Sequence, residues 1–195
     1  ILVMVFVNEL AGIRDIPAWM KHMPRDADAM SFVDIVFPAF LFIAGMSVPF
    51  ALNKRLMNNP SRLKLQSHIF WRVAGLLCVG LFMVNQGGGP HHMVLSVYAW
   101  SLLFYFFAFM VWQVYRPENK KRAWLFRAIG LAGLLFLALI YRGGPDGEHY
   151  ISPKWWGILG LIGWAYLFSC IFYQLGNGKV IPLIFFILIC TLLCA

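Results

Sequence analysis

The sequence predicts an all-α protein, a polytopic transmembrane helical bundle, and two observations support this fold class. Apolar residues make up 61% and charged residues only 12% of the 195 positions, against roughly 45–50% and 25% in a typical soluble domain. The apolar residues also fall in long blocks. A helix needs roughly 20 residues to cross a membrane, and most of the blocks are close to this length. We therefore predict a multi-pass integral membrane protein that is embedded in the lipid bilayer.

The apolar blocks place the predicted helices along the chain. A partial first span covers 1–7, and about six full spans follow, near 34–52, 69–85, 94–115, 123–141, 155–175 and 180–195. No polar connection is long enough to form a soluble core of its own. We expect a single transmembrane domain over 1–195, truncated at both ends because each end lies inside an apolar segment.

The basic residues are divided unevenly between the two sides of the membrane that these spans define. Eleven of the 16 Lys and Arg residues fall on one side and five on the other. The positive-inside rule assigns the richer side to the cytoplasm, so the connection over 8–33 is expected to face outward. The net charge of +8 does not indicate nucleic acid as a partner, because the basic residues lie in short loops rather than along one helix face.

The connection over 8–33 contains the residues that are best suited to chemistry. Its 26 residues exceed the roughly 12–15 beyond which loops are often functional. His22 could serve as a general base or nucleophile, or it could be a solvated loop side chain. Asp34, just after this connection, could orient His22, or it could simply cap the following helix as its N-cap residue.

Several segments resemble a known family. They are Met4–Asn8, the pair Lys21-His22, and the block VDIVFPAFLFIAG from Val33 to Gly45, which contains a D-x-x-F-P motif. Together with Trp71-Arg72, Gly80, Asn85 and the glycine-containing stretch 156–164, they are similar to heparan-alpha-glucosaminide N-acetyltransferase and its bacterial relatives. The specific part of the resemblance covers 1–85.

The resemblance implies a function and a set of site residues. Members of the family are multi-helix membrane enzymes that move an acetyl group from cytoplasmic acetyl-CoA to the amine of a terminal glucosamine across the bilayer. It would make His22 the catalytic histidine, with Asn8 and Asp34 as its partners, and it favours a bacterial inner membrane. The chain departs from the family in two places: the loop is slightly longer on both sides of His22, and the glycine-rich stretch after Asn8 is mostly missing.

A cosubstrate such as acetyl-CoA needs cations for its phosphates. Lys54, Arg55 and Arg72 lie on the predicted cytoplasmic side and are candidates. Arg72 is the strongest, because it follows Trp71 at the edge of an apolar helix, where an unpaired charge is costly. The alternative is that these residues set the topology and contact lipid headgroups.

The same residues allow other functions and partners. His91 and His92, with Asp146, Glu148 and His149, could bind a metal, but no metal-site spacing is present and no metal is predicted. A transporter or flippase for a glycan or lipid-linked sugar is the alternative function, and the nearly charge-free span centres disfavour it. A purely structural subunit would leave the polar residues of 8–34 unexplained. The expected partners are an amino-sugar or glycan acceptor and acetyl-CoA, and a homo-oligomer is a possible assembly.

Overall fold

The computed structural model of the protein describes most of the chain. The described ranges are 2–10, 13, 15–24, 26–86, 93–116, 120–144 and 146–194. Within the helices, the side chains of Asn8, Cys190, Leu193 and Cys194 fall outside the description.

In these ranges the chain forms seven α-helices, which confirms the predicted all-α class. They are α1 (Leu2–Leu10), α2 (Phe32–Asn58), α3 (Arg62–Gln86), α4 (Val97–Trp112), α5 (Lys120–Ile140), α6 (Gly157–Leu175) and α7 (Val180–Cys194). Short 3-10 turns at Ala18–Met20 and Lys154–Trp156 interrupt the connections, and one isolated antiparallel bridge joins Gly143 to His149. Each predicted span therefore coincides with one helix.

Among the described residues, four helical segments are long and apolar enough to cross a membrane, which makes this an integral membrane protein. They are Phe32–Asn58, Arg62–Gln86, Lys120–Ile140 and Lys154–Leu175. The helices at 97–112 and 180–194 are also apolar but shorter than the roughly 20 residues of a full span. Two of the six predicted full spans thus fold as shorter apolar helices.

The chain divides into two compact units, residues 1–65 with 165–195, and residues 66–164. The predicted single domain over 1–195 stays a prediction. The second unit is built around an aromatic core, in which Phe82 stacks on Trp100 and Phe104 with ring centroids 5.4 and 4.8 Å apart. The Trp100 indole N–H donates to the Leu137 carbonyl at 3.0 Å, so this core joins α3, α4 and α5.

One polar residue and one glycine of α3 determine how this helix packs within the second unit. The fully buried Asn85 amide donates to the Ser152 carbonyl at 2.8 Å and accepts the Ser152 N–H at 3.3 Å. Five residues earlier, a Cβ on Gly80 would lie 2.5 Å from the Trp156 carbonyl oxygen and 2.6 Å from the Gly160 nitrogen. Only a glycine at position 80 permits α3 to approach the start of α6 this closely.

The first unit positions the candidate site, because it contains α1, the long connection and α2. The 3-10 turn at Ala18–Met20 packs on the start of α2, where the Trp19 and Phe32 rings meet edge to face with centroids 6.1 Å apart. The turn is closed by the Lys21 N–H, which donates to the Ala18 carbonyl at 3.1 Å. At Lys21 the backbone is extended, and His22 then lies beside the first turn of α2, in contact with Asp34.

Candidate active site

The start of α2 is organised by Ser31 and Asp34. Ser31 has the extended backbone of an N-cap residue, and Asp34 is the third residue of the helix. The backbone N–H and the hydroxyl of Ser31 both donate to Asp34 Oδ2, each at 2.9 Å. This corrects the simple interpretation of Asp34 as the cap: Ser31 caps the helix, and Asp34 supplies the reciprocal carboxylate of a capping box.

Asp34 also holds His22. Its Oδ1 lies 2.7 Å from His22 Nδ1, and its Oδ2 accepts the Met23 N–H at 3.2 Å. One carboxylate oxygen therefore faces the imidazole. The other accepts three hydrogen bonds, two from backbone N–H groups and one from a hydroxyl. These donors stabilise the negative charge of the carboxylate, and the contact places together two of the three residues predicted for the site.

The hydrogen bond to Asp34 fixes the tautomer of His22. An ionised carboxylate only accepts hydrogen bonds, so the proton of the imidazole lies on Nδ1. The lone pair of the neutral ring is then on Nε2. This nitrogen can therefore act as the base or the nucleophile. The His22 side chain is 65% exposed and that of Asp34 is 24% exposed, so the imidazole is accessible while its anchor is largely covered.

A recess of about 230 Å³ adjoins the imidazole. His22 and Lys21 form part of its wall, and the remaining lining is apolar: Val7, Leu10, Ile13, Ile16, Met20 and Val33. Val7, Leu10 and Val33 are buried. The recess is thus a small apolar space with an imidazole and an amine at its edge.

Asn8, the third predicted site residue, lies in the last turn of α1. Its neighbour Val7 and, two positions on, Leu10 both line the recess. The Asn8 side chain is outside the described residues, so its predicted role stays a prediction.

Two of the predicted phosphate-binding residues, Lys54 and Arg55, lie away from this site. Lys54 and Arg55 are exposed near the other end of α2, about 20 residues from Asp34, which at a rise of 1.5 Å per residue is roughly 30 Å. Arg72 is exposed on α3. Their role in binding acetyl-CoA stays a prediction.

A larger cavity of about 690 Å³ lies in the same unit between α2, the second half of α6, and α7. Along α2 it extends from Leu41 to Pro49, and the described lining residues include no Asp, Glu, Lys, Arg or His. Tyr173, on its wall, donates its hydroxyl proton to Asn53 Oδ1 at 3.1 Å. The apolar lining makes this cavity a space for a chain or a lipid rather than a centre for proton transfer.

Metal binding has little support in the described part of the chain, where no group of three or more His, Cys, Asp or Glu residues could hold an ion. His91 and His92 lie outside the described residues, so the expectation of no metal stays a prediction.

Ser31 and the recess were missed by the sequence reasoning. Ser31 could have been found, because Ser31-Phe32-Val33-Asp34 fits the S-x-x-[DE] signature of a capping box before an apolar run. The recess could not, because its walls come from α1, the long connection and α2, whose relative placement no local pattern gives.

Comparison with known proteins gives two similar curated relatives. The chain is 36% identical over 86 residues to heparan-alpha-glucosaminide N-acetyltransferase of Mus musculus and 34% identical over 86 residues to the same enzyme of Homo sapiens. The matched stretch is 44% of this chain and 12% of the length of each relative. These identities support a family relationship between the matched stretch and that enzyme. No family model matches the chain, and no solved structure matches it.

Proposed function

We propose that this chain belongs to a transmembrane acyltransferase that moves an acetyl group from cytoplasmic acetyl-CoA to the amine of an amino sugar of glucosamine type at the outer membrane face. The observation that carries the proposal is the contact between His22 Nδ1 and Asp34 Oδ1 at 2.7 Å, which leaves Nε2 as the reactive atom. The relatives, whose name states acetyl transfer to a glucosaminide, support the same reaction class.

Acetyl transfer from a thioester to an amine requires a base and an oxyanion donor. A thioester is already activated, so the enzyme has to free the lone pair of the amine and stabilise the tetrahedral oxyanion. In direct transfer, His22 Nε2 takes a proton from the ammonium and the amine attacks the carbonyl carbon. In the two-step route, Nε2 attacks first, the CoA thiolate leaves, and the amine then removes the acetyl group from the imidazole.

Asp34 and Asn8 have supporting roles in either route. The Asp34 carboxylate holds the reactive tautomer and stabilises the imidazolium that forms when Nε2 accepts a proton or an acyl group. Asn8 would supply an amide N–H to the oxyanion or to a hydroxyl of the sugar.

The proposed orientation sets the path of the donor. Residues 8–33 face outward from a bacterial inner membrane, whereas Lys54, Arg55 and Arg72 face the cytoplasm and bind the phosphates of CoA. Because roughly 30 Å of α2 separates Lys54 from Asp34, the pantetheine arm has to extend into the helical bundle. The apolar cavity beside Leu41 to Pro49 lies along the intervening part of α2 and offers space for such an arm.

The decisive experiment measures acetyl transfer from radiolabelled acetyl-CoA to a panel of amino sugars, with the intact protein in liposomes. His22→Ala should lower transfer by about 10²–10⁴-fold, the usual loss for a general base, while expression and acetyl-CoA binding stay close to those of the unmodified protein. His91→Ala is the matched control, a histidine in another connection predicted to be external, and should be nearly neutral. Near-normal transfer by His22→Ala would overturn the assignment, and sugar movement without acetylation would favour a transporter or flippase.

A further inference from the structure

The apolar recess beside His22 has no role in the steps above, although the imidazole forms part of its wall. An amino sugar would be a poor occupant, because its hydroxyl groups would lose their hydrogen bonds to water against six apolar side chains. An acyl chain is the opposite case, since it gains by leaving water for such a surface.

The size of the recess exceeds what an acetyl group needs. Its volume of about 230 Å³ corresponds to roughly seven water-sized groups at about 30 Å³ each. An acetyl group has three non-hydrogen atoms, a butyryl group has five and an octanoyl group has nine. The recess therefore accommodates a butyryl group in full, and an octanoyl group would fill it completely.

We propose that this recess is the acyl-chain pocket of the transferase and that it gives the protein a donor range beyond acetyl-CoA, extending to propionyl-CoA and butyryl-CoA. This inference rests on the function proposed above. The reaction is the same for each donor: the bond from the acyl carbon to the CoA sulfur breaks, and the bond from that carbon to the acceptor nitrogen forms. Of the two protons that the ammonium loses, one goes to the CoA thiolate and the other passes through His22 to solvent.

Leu10 and Val33 line the pocket, so we expect their side chains to determine which acyl chains it accepts. Both are buried, with exposed fractions of 6% and 4%, and both line the recess from different helices. Leu10→Phe would fill part of the recess, and Val33→Ala would enlarge it. One methylene group in a hydrophobic pocket changes kcat/KM by roughly 10–200-fold, so changes of this size should alter the preference among acyl chains.

The test compares acetyl-, butyryl- and octanoyl-CoA as donors to one amino sugar, with the intact protein in liposomes. We expect kcat/KM for butyryl-CoA to be at least equal to that for acetyl-CoA, because its two further methylene groups enter the apolar recess, and octanoyl-CoA to be used at least tenfold less well than butyryl-CoA. Leu10→Phe should lower the butyryl-to-acetyl ratio by tenfold or more, whereas Val33→Ala should raise the use of octanoyl-CoA. Leu65→Phe is the matched control, a buried leucine of the same unit outside the recess lining, and should leave the ratios unchanged.

The outcomes separate the two proposals. Acetyl transfer with butyryl-CoA rejected more than 100-fold, or ratios that Leu10→Phe and Val33→Ala do not change, would refute the pocket while leaving the transferase function intact. If Leu10→Phe fails to fold, the opposite shift expected of Val33→Ala still decides the question. Absence of transfer from every donor would refute the proposed function and this inference with it.

Discussion

Replacement of Asp34 by asparagine separates the two roles of this residue at the start of α2. The side chain that replaces it has one oxygen and one NH₂ group, and the surroundings determine which takes the place of Oδ2. The donors at that position are the N–H groups of Ser31 and Met23 and the Ser31 hydroxyl. The amide oxygen has to stay there, so the NH₂ group faces His22 Nδ1.

The energetic preference for this amide orientation follows from Ser31 alone. Ser31 is buried, with 4% of its surface exposed, and leaving its N–H without an acceptor would cost about 1–3 kcal/mol. That difference corresponds to about 5- to 150-fold in population. With an NH₂ group opposite, Nδ1 has to accept a hydrogen bond, and the imidazole proton moves to Nε2, the atom that should act as base.

Asp34→Asn should therefore lower acetyl transfer by about 10²–10⁴-fold, the range for loss of a general base. In serine proteases, replacing the aspartate of the catalytic triad by asparagine lowers activity through the same change of histidine tautomer. The cap is retained, since the amide oxygen still accepts the Ser31 donors. Initial rates in liposomes measure the first effect, and the ¹⁵N chemical shifts of the His22 ring identify the tautomer.

Ser31→Ala is the matched control for capping. It removes one hydrogen bond to Asp34 Oδ2 and should lower the free energy of unfolding by about 1 kcal/mol, with transfer changed by no more than a few-fold. Near-normal transfer by Asp34→Asn with the proton on Nε2 would contradict a catalytic role for this carboxylate, because Asp34 would then serve only the helix start.

Two further predictions concern packing and orientation. Gly80→Ala should lower the free energy of unfolding by about 1–3 kcal/mol through overpacking against α6, as measured by thermal unfolding in detergent. Gly45→Ala is its control, because a Cβ there has no atom within 4 Å, and equal stability of the two variants would contradict the close helix approach. On a background without native cysteines, Ile13→Cys should react with an impermeant thiol reagent added outside, and Arg122→Cys should not. The reverse pattern would contradict the proposed topology and the transfer of acetyl groups across the membrane.

The helices were predictable because the hydrophobic effect and membrane thickness both act on local sequence. The deviations in their bounds have a local cause as well. The predicted span over 69–85 begins where the apolar block begins, but α3 starts at Arg62, since arginine and lysine are good helix formers and extend a helix beyond its apolar part. In α4, Ser96 accepts the Ala99 N–H at 3.3 Å and starts the helix later than the predicted 94.

The site was predictable only in the identity of its residues. His22 and Asp34 were selected by chemical type and by the resemblance, but their contact spans 12 positions and depends on how the connection folds. That path is fixed by contacts such as the Trp19–Phe32 ring pair, which have no sequence period. The candidate phosphate ligands Lys54 and Arg55 were chosen by charge, which gives a side of the membrane but no distance from the imidazole.

The geometry of Asp34 explains how the site can tolerate the differences between this loop and that of the enzymes it resembles. The carboxylate belongs to α2, and it holds His22 through Oδ1 and the adjacent Met23 N–H through Oδ2. His22 is therefore positioned by the first turn of a 27-residue helix rather than by the length of the loop on either side. Extra residues before or after His22 change the path of the connection but leave these hydrogen bonds available.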